Sequence, residues 1–278
     1  MFLELAIADA YAASFANRSE KFIISHNDIT TYPSPDDRQD SIGRYTGITQ
    51  SNIAIARMLV RDHSWVTEYL ASSLLTTYKR DPRKGYGDKL DRLLRKSQDG
   101  RILLEHIDPF CDLDNPAIRA MAIGRRSTPE KVFKASMAQA AITNNHPDSL
   151  NAAIAVALMC HFFIYNLGEK ERLKDFLNIY IVTDWLQASE LSNQSLITTK
   201  TAIELVIKHQ SLSELLQHCI SLDRDSDCVA AIAIAAASCS QEYQQDLPQS
   251  FSDDLENDTE YGRDYLIDLD RKLRFAHK

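Results

Sequence analysis

The stretch Asp223-Arg224-Asp225-Ser226-Asp227-Cys228-Val229-Ala230-Ala231-Ile232-Ala233-Ile234-Ala235-Ala236-Ala237 decides the fold. Its last nine residues are apolar all round. A helix of this kind belongs in the middle of a bundle, where its alanines let neighbours pack closely. Ahead of it three aspartates alternate. Aspartate at a helix start caps backbone N–H groups and complements the helix dipole, which accounts for one of the three. Three like charges this close repel unless a cation or a basic group sits among them. Alternating oxygen ligands at the mouth of a buried helix suit a hard cation such as Mg²⁺ or Ca²⁺.

Outward from this helix the same periodicity recurs. Ile53, Ala56, Met58, Leu59 and Val60 follow Thr49, which reads as an N-cap. Val66, Tyr69, Leu70, Leu74 and Leu75 follow a second N-cap candidate, Ser64. Leu173, Phe176, Leu177, Tyr180, Ile181, Trp185 and Leu186 form one stripe, and Ile203, Leu205, Val206 and Ile207 another. A longer apolar run, Ala152 to Tyr165, follows a helix start at His146-Pro147-Asp148. Only eight glycines and eight prolines punctuate the 278 residues, and β-hairpin signals are absent. The expectation is an all-α chain, a single compact orthogonal helical bundle over residues 1–278 with ten or more helices. No 20–50-residue period repeats, which excludes a solenoid. Three segments break the pattern and read as loops: Phe22–Gly47, Arg80–Leu113 and the acidic Leu247–Asp258.

Composition narrows the function classes. The chain is 44% hydrophobic and 25% charged, with 31 basic against 39 acidic residues and a net charge of -8. No basic excess offsets phosphates, so neither nucleic acid nor an anionic membrane surface is expected as a partner. No stretch reaches the ~20 apolar residues of a membrane span. Five widely spaced cysteines (Cys111, Cys160, Cys219, Cys228, Cys239) form no C-x-x-C pair and read as buried thiols of a reducing compartment. The first sixteen residues lack the basic start of a signal peptide. A cytoplasmic protein, or an effector exported without a cleaved signal, is the expectation.

Three further polar clusters precede helices. In Arg44-Tyr45-Thr46-Gly47-Ile48-Thr49-Gln50 a turn leads into a helix. In Asp114-Asn115-Pro116-Ala117-Ile118-Arg119, Pro116 suits a first helical position and puts Arg119 about one turn inside. In Thr143-Asn144-Asn145-His146-Pro147-Asp148 a lone histidine reads first as a cap or loop residue.

Taken in order, these clusters resemble the motifs of the ADP-ribosylglycohydrolase family, all-helical hydrolases that remove ADP-ribose from modified side chains. The family's opening G-D-A-x-G-x-x-x-E is similar to the stretch from Ala8-Asp9-Ala10 to Ala16. Its Y-T-D-D-T-Q resembles Tyr45-Thr46-Gly47-Ile48-Thr49-Gln50, and its R-x-G-Y-G resembles Arg83-Lys84-Gly85-Tyr86-Gly87. Its G-N-G-x-x-M-R-x-x-P-I-G loop aligns with Leu113 to Gly124, and its T-H-x-H-P with Thr143 to Pro147. Its closing G-G-D-T-D-T-V-A-A-I-A-G aligns with Asp223 to Ile234. The resemblance spans nearly the whole chain.

The departures from the family pattern bear on function. The resemblance implies a two-Mg²⁺ centre built from an early Glu, a Thr and two Asp of the first motif, and the Asp, Asp and Thr of the last. Here the early Glu is Ala16, the first two Asp are Gly47 and Ile48, and the last Thr is Cys228, a soft ligand that suits Mg²⁺ poorly. Thr46, Asp225 and Asp227 survive as metal ligands of a weak or vacant site. The family's glycines are replaced by Ala8, Ala12, Leu113, Asn115, Asp223 and Arg224, which narrows the cleft. No cofactor is expected, one weakly bound Mg²⁺ being the alternative. The resemblance makes Arg119, His146, Asp114 and Asn115 the candidate ligand-binding residues. The expected function is that of a pseudoenzyme binding an ADP-ribose-like ligand or a protein partner. The alternative is an active hydrolase of ADP-ribosyl or related bonds using one metal or none, with Asp225 or Asp227 as general base and His146 assisting. A purely structural subunit with a collapsed cleft is the third reading.

Overall fold

A computed structural model describes residues 1–33, 42–61, 65–107, 116–188, 191–222 and 225–276. These form fourteen α-helices: α1 (Phe2–Phe15), α2 (Glu20–His26), α3 (Gly47–Val60), α4 (Thr67–Arg80), α5 (Asp88–Lys96), α6 (Gly100–His106), α7 (Pro129–Ala140), α8 (Pro147–Ile164), α9 (Leu173–Tyr180), α10 (Gln194–Lys208), α11 (Leu212–Ile220), α12 (Ser226–Ala237), α13 (Gln249–Asp253) and α14 (Arg263–Ala276). There is no β-strand among the described residues; a single isolated bridge pairs Ser211 with Gln244.

The all-apolar helix is the axis, as its composition requires. Val229 to Ala237 are at most 1% exposed, and α1, α8, α10 and α11 enclose α12. Methyl-sized side chains let four neighbours approach one helix without leaving voids. The nearly uncharged α1 packs on α12, α3 and α14, so it too is covered on several sides. α8 is long and apolar enough to cross a membrane by length and composition, yet 72% of it is buried inside the protein, against α7, α10 and α12. That burial is what a core helix of this composition needs. α3 and α4 pair on the other side, and α14 closes over α3.

Helix starts agree with the sequence in some places and not in others. Pro147 opens α8, and the His146 ring nitrogen Nδ1 accepts from the Asp148 amide at 3.3 Å. Pro116 opens a short 3-10 turn, Pro116–Arg119, rather than an α-helix. Thr49 is not a cap. α3 starts three residues earlier than a Thr49 cap would set it, with Thr46 as N-cap and its hydroxyl accepting from the Ile48 amide at 3.2 Å. Ser64 lies outside the described residues, and α4 starts at Thr67 behind Val66, with no side-chain cap bond. The stripe ending in Trp185 and Leu186 is broken: α9 stops at Tyr180, and Asp184–Leu186 forms a 3-10 turn. The segment Arg80–Leu113 is not a loop throughout, because it holds α5 and α6. Leu90 and Leu94 are the buried side of α5, one turn apart in an otherwise charged sequence.

Candidate functional site

The site begins with one acid in an apolar helix. Asp9 of α1 is fully buried. Its Oδ2 accepts from the Thr46 amide at 2.9 Å, the Thr49 amide at 3.0 Å and the Thr49 hydroxyl at 2.7 Å, and its Oδ1 accepts from the Thr46 hydroxyl at 2.8 Å. Burial pushes the carboxyl above the usual aspartate range, while these four donors pull the other way. Asp9 therefore ties α1 to the first turn of α3.

That turn has no free donor left. A helix start leaves its first amides without internal partners. Here the Gly47 amide donates to the Lys84 carbonyl at 2.7 Å, the Ile48 amide to Thr46, and the Thr49 amide to Asp9. The Arg83–Gly87 loop seals the same place from outside. Tyr86 lies over Gly47 so closely that a Cβ at residue 47 would stand 2.7 Å from its ring. The Tyr86 hydroxyl donates to Gln50 Oε1 at 3.0 Å, and Gln50 Nε2 donates to the Asp81 carbonyl at 2.5 Å. Gly85 has φ +96°, and a Cβ there would meet the Thr46 hydroxyl at 2.7 Å, so the loop needs glycine at that point.

Arg83 anchors the loop. Its buried guanidinium donates to both carboxylate oxygens of Glu256, to Asp81 Oδ2 at 2.6 and 2.9 Å, and to the Tyr45 carbonyl at 2.9 Å. It also sits 3.8 Å from the centre of the Tyr45 ring. The carboxylates and the Tyr45 ring raise its affinity for the proton against the burial that lowers it.

The mouth of α12 has a different character. Asp225 precedes the helix with φ +51°, a left-handed conformation that costs a non-glycine residue about 1–3 kcal/mol. Its carboxylate does not cap α12. It accepts from the Gln194 side-chain amide and from the Thr198 hydroxyl, the latter at 3.1 Å. Asp227 Oδ1 accepts from the Cys228 amide at 2.8 Å. The Ser226 and Asp227 amides make no hydrogen bond among the described residues. The Cys228 thiol is pushed well up by burial and by the charges of Asp227, Asp225 and Asp9. α12 contacts both α1 and α3, so the Thr46–Asp9 pair and the α12 mouth share one neighbourhood.

The other candidate residues are placed differently. Arg119 is 1% exposed, with Nε donating to Gln139 Oε1 at 2.8 Å and its second amino group to the Gln139 carbonyl and the Thr143 hydroxyl. It clamps the 3-10 turn to the end of α7. His146 is exposed at the start of α8, with Asp148 Oδ2 3.8 Å from its Nδ1. Asp114, Asn115, Asp223 and Arg224 lie outside the described residues. Ala16 caps α1 at an exposed position, and Ile48 is buried at 2% exposure. Asp9 is the residue that the motif reading passed over. Its signal was present: the other acid of α1, Glu4, sits in the first turn, whereas Asp9 is a charge in the middle of an apolar 14-residue helix and must have partners.

The fit to a two-ion centre can be judged from the donors. Two divalent ions need several carboxylates to offset their charge and fill octahedral shells. Among the described residues, no group of three or more His, Cys, Asp and Glu side chains could hold a metal ion. Asp9 is saturated by four donors, the Thr46 hydroxyl already serves Asp9 and Ile48, and Gly47 and Ile48 offer no oxygen. The residues present do not fit that centre.

Comparison with known proteins agrees with this architecture. The structure is similar to a solved chain described as an ADP-ribosylglycohydrolase-related protein complex, with a TM-score of 0.69 at 17% identity, covering 100% of this chain and 96% of that one. At that identity the likeness is one of fold. A comparison with curated protein sequences gives no match. The sequence pattern of the ADP-ribosylglycohydrolase family, in contrast, matches residues 1–277, and on that match the chain belongs to the ADP-ribosylglycohydrolase family.

Proposed function

We propose that this protein keeps the family fold as a binding protein and has lost the family's two-ion hydrolysis. The observation that carries the reading is the packing over Gly47. Where the first motif of the family supplies carboxylates, this chain has a glycine under the Tyr86 ring and a buried isoleucine. That half of the centre has become a packed joint with every first-turn amide of α3 engaged. Without metal, neither water activation nor charge stabilisation of the family type is supplied.

The α12 mouth supports retained binding. It holds Asp225 in a strained conformation, and the Ser226 and Asp227 amides at this helix start have no partner among the described residues. Such a start favours an anionic group. The ligand class is an ADP-ribose-like molecule or an acidic segment of a partner protein.

The test has two arms. Calorimetry of the purified protein with MgCl₂ and with ADP-ribose should give no pair of ion sites, and ADP-ribose should bind with or without Mg²⁺. Release of ADP-ribose from arginine- or serine-modified protein should stay at background. Turnover near the ordinary enzyme range of about 1 per second or faster, abolished by Asp225→Ala and Asp227→Ala, would make the alternative hydrolase correct.

A further inference from the structure

The opposite end of α3 carries a feature that the cleft does not use. α3 has 14 residues and so extends about 20 Å. At its far end a cavity of about 230 Å³ opens between α3, the end of α4 and α14, lined by Arg57, Arg61, Arg80 and Lys272, by the carboxylates of Glu260 and Asp268, and by Tyr261 and Tyr265. A second cavity of about 330 Å³ adjoins it, sharing Arg57 and Arg61 and adding the hydroxyls of Ser72 and Thr76.

Some of this basic character has an internal explanation. Cations near helix C-termini offset the partial negative charge of the last carbonyls. Arg80 is also paired with Glu260 at 3.1 Å, and Lys272 with Asp268 at 2.6 Å. Arg57 and Arg61 are different. Neither has an ion-pair partner among the described residues. Arg57 donates only to neutral oxygens, the Thr77 hydroxyl at 3.1 Å and the Tyr261 hydroxyl at 2.7 Å. The Arg61 side chain makes no hydrogen bond among the described residues, and neither does the Tyr265 hydroxyl. That hydroxyl lies within electrostatic reach of Arg57, Arg61 and Arg80 together: burial pushes it up, and each of the three pulls it down. In a chain of net charge -8, two guanidiniums with no ion pair among the described residues and a phenol with no acceptor among them converge on one cavity.

We propose that this cavity binds the phosphate group of a small phosphorylated molecule, through Arg57, Arg61 and the Tyr265 hydroxyl. A guanidinium presents paired N–H donors that match phosphate oxygens, and the phenol supplies a third direction. Arg80 and Lys272 are offset by Glu260 and Asp268, which line the same cavity, so the net positive charge there comes from Arg57 and Arg61. The ring of Tyr265 offers a face on which a base or sugar attached to the phosphate can rest. This site is separate from the α12 mouth and does not depend on the function proposed above.

The test uses the intact protein at constant ionic strength, titrated by calorimetry with inorganic phosphate, with inorganic diphosphate and with AMP. The variants are R61Q, R57Q and Y265F, with R95Q, an exposed arginine of α5 paired with Asp91, as a control. Arg61 is exposed, so R61Q leaves the fold intact even if R57Q does not. Wild type should bind diphosphate with a Kd of about 1 mM or tighter. Each arginine variant should weaken binding about tenfold or more, the size expected for a lost charged hydrogen bond. Y265F should weaken it less, and R95Q should leave it unchanged. AMP binding tighter than phosphate places the base on Tyr265, and equal affinity confines recognition to the phosphate; both sustain the site. No binding at about ten times that concentration, or R61Q binding as wild type does, overturns it and leaves the arginines only their service to the helix ends.

Discussion

Replacing Asp9 by alanine should come close to unfolding the protein. The carboxylate receives two amides and two hydroxyls, all within 2.7–3.0 Å. In Asp9→Ala the Thr46 and Thr49 hydroxyls can turn to other acceptors, as helical threonines do toward preceding carbonyls. The Thr46 and Thr49 amides cannot turn, and each buried donor left without a partner costs about 1–3 kcal/mol. The pair therefore costs about 2–6 kcal/mol, against a typical total stability of about 5–15 kcal/mol. Asp9→Asn keeps one oxygen in the same place and should lose only about 1–2 kcal/mol. Urea denaturation followed by the helical circular-dichroism signal measures both. A cycle with Thr49→Val, which removes the 2.7 Å bond, should show coupling of at least about 0.5 kcal/mol. The pH dependence adds a sign. Burial holds the folded carboxyl above its unfolded value, so the stability it contributes is full below about pH 4 and declines as pH rises through the folded pKa. The advantage of wild type over Asp9→Asn should therefore shrink from pH 4 to pH 7. A loss under about 1 kcal/mol for Asp9→Ala, within the range of an ordinary surface change, or strict additivity with Thr49→Val, would refute the role of Asp9 as the tie between α1 and α3.

Other perturbations follow from the same geometry. Gly47→Ala should cost about 1–3 kcal/mol because its Cβ meets the Tyr86 ring, and Tyr86→Ala in the same chain should relieve most of it in a thermal-melt comparison. Arg83→Ala should cost about 1.5–3 kcal/mol in urea, the size of lost charged hydrogen bonds, because Arg44 stays paired with the buried Glu256 carboxylate at 3.2 Å, whereas Arg95→Ala on the surface of α5, paired with Asp91, should leave the urea midpoint nearly unchanged. Burial depresses the pKa of His161, His209 and His218. Their contribution is complete above the unfolded value near pH 6.5 and is lost as pH falls through the folded values, so a His209→Gln, His218→Gln double variant should show a flatter loss of stability between about pH 7 and 5 in thermal melts.

The parts of the fold that the sequence disclosed are those where one segment determines its own surroundings. Val229 to Ala237 has no polar face, so it had to be central, and Pro147 with His146 marks the start of α8 by local chemistry alone. The start of α3 depends on distant groups. Asp9 and Lys84 take up its first amides, and this lets Thr46 rather than Thr49 be the cap. The charged run of α5 hides its seam because Leu90 and Leu94 are only two buried residues among nine. For the site, motif order gives the expectation that positions 16, 47 and 48 stand where the family carries carboxylates. The Tyr86 ring over Gly47 was not legible there, since the two meet only when the loop folds back on α3. The saturation of Asp9 also lies beyond motif reading, because it joins residues about forty positions apart.

The wrapping of α12 by α1 also constrains the order of assembly. The two helices lie near opposite ends of the chain and meet face to face at the centre. At a synthesis rate of about 5–20 residues per second, more than ten seconds separate the emergence of the first from that of the second. During that interval the side of α1 that faces α12 lacks its cover, α3 being the neighbour already made. Closing a contact over such a span is slow for any chain. A nascent-chain experiment should find α1 open to protease until α12 has left the ribosome, and folding in the cell should lean on chaperones that hold apolar N-terminal segments.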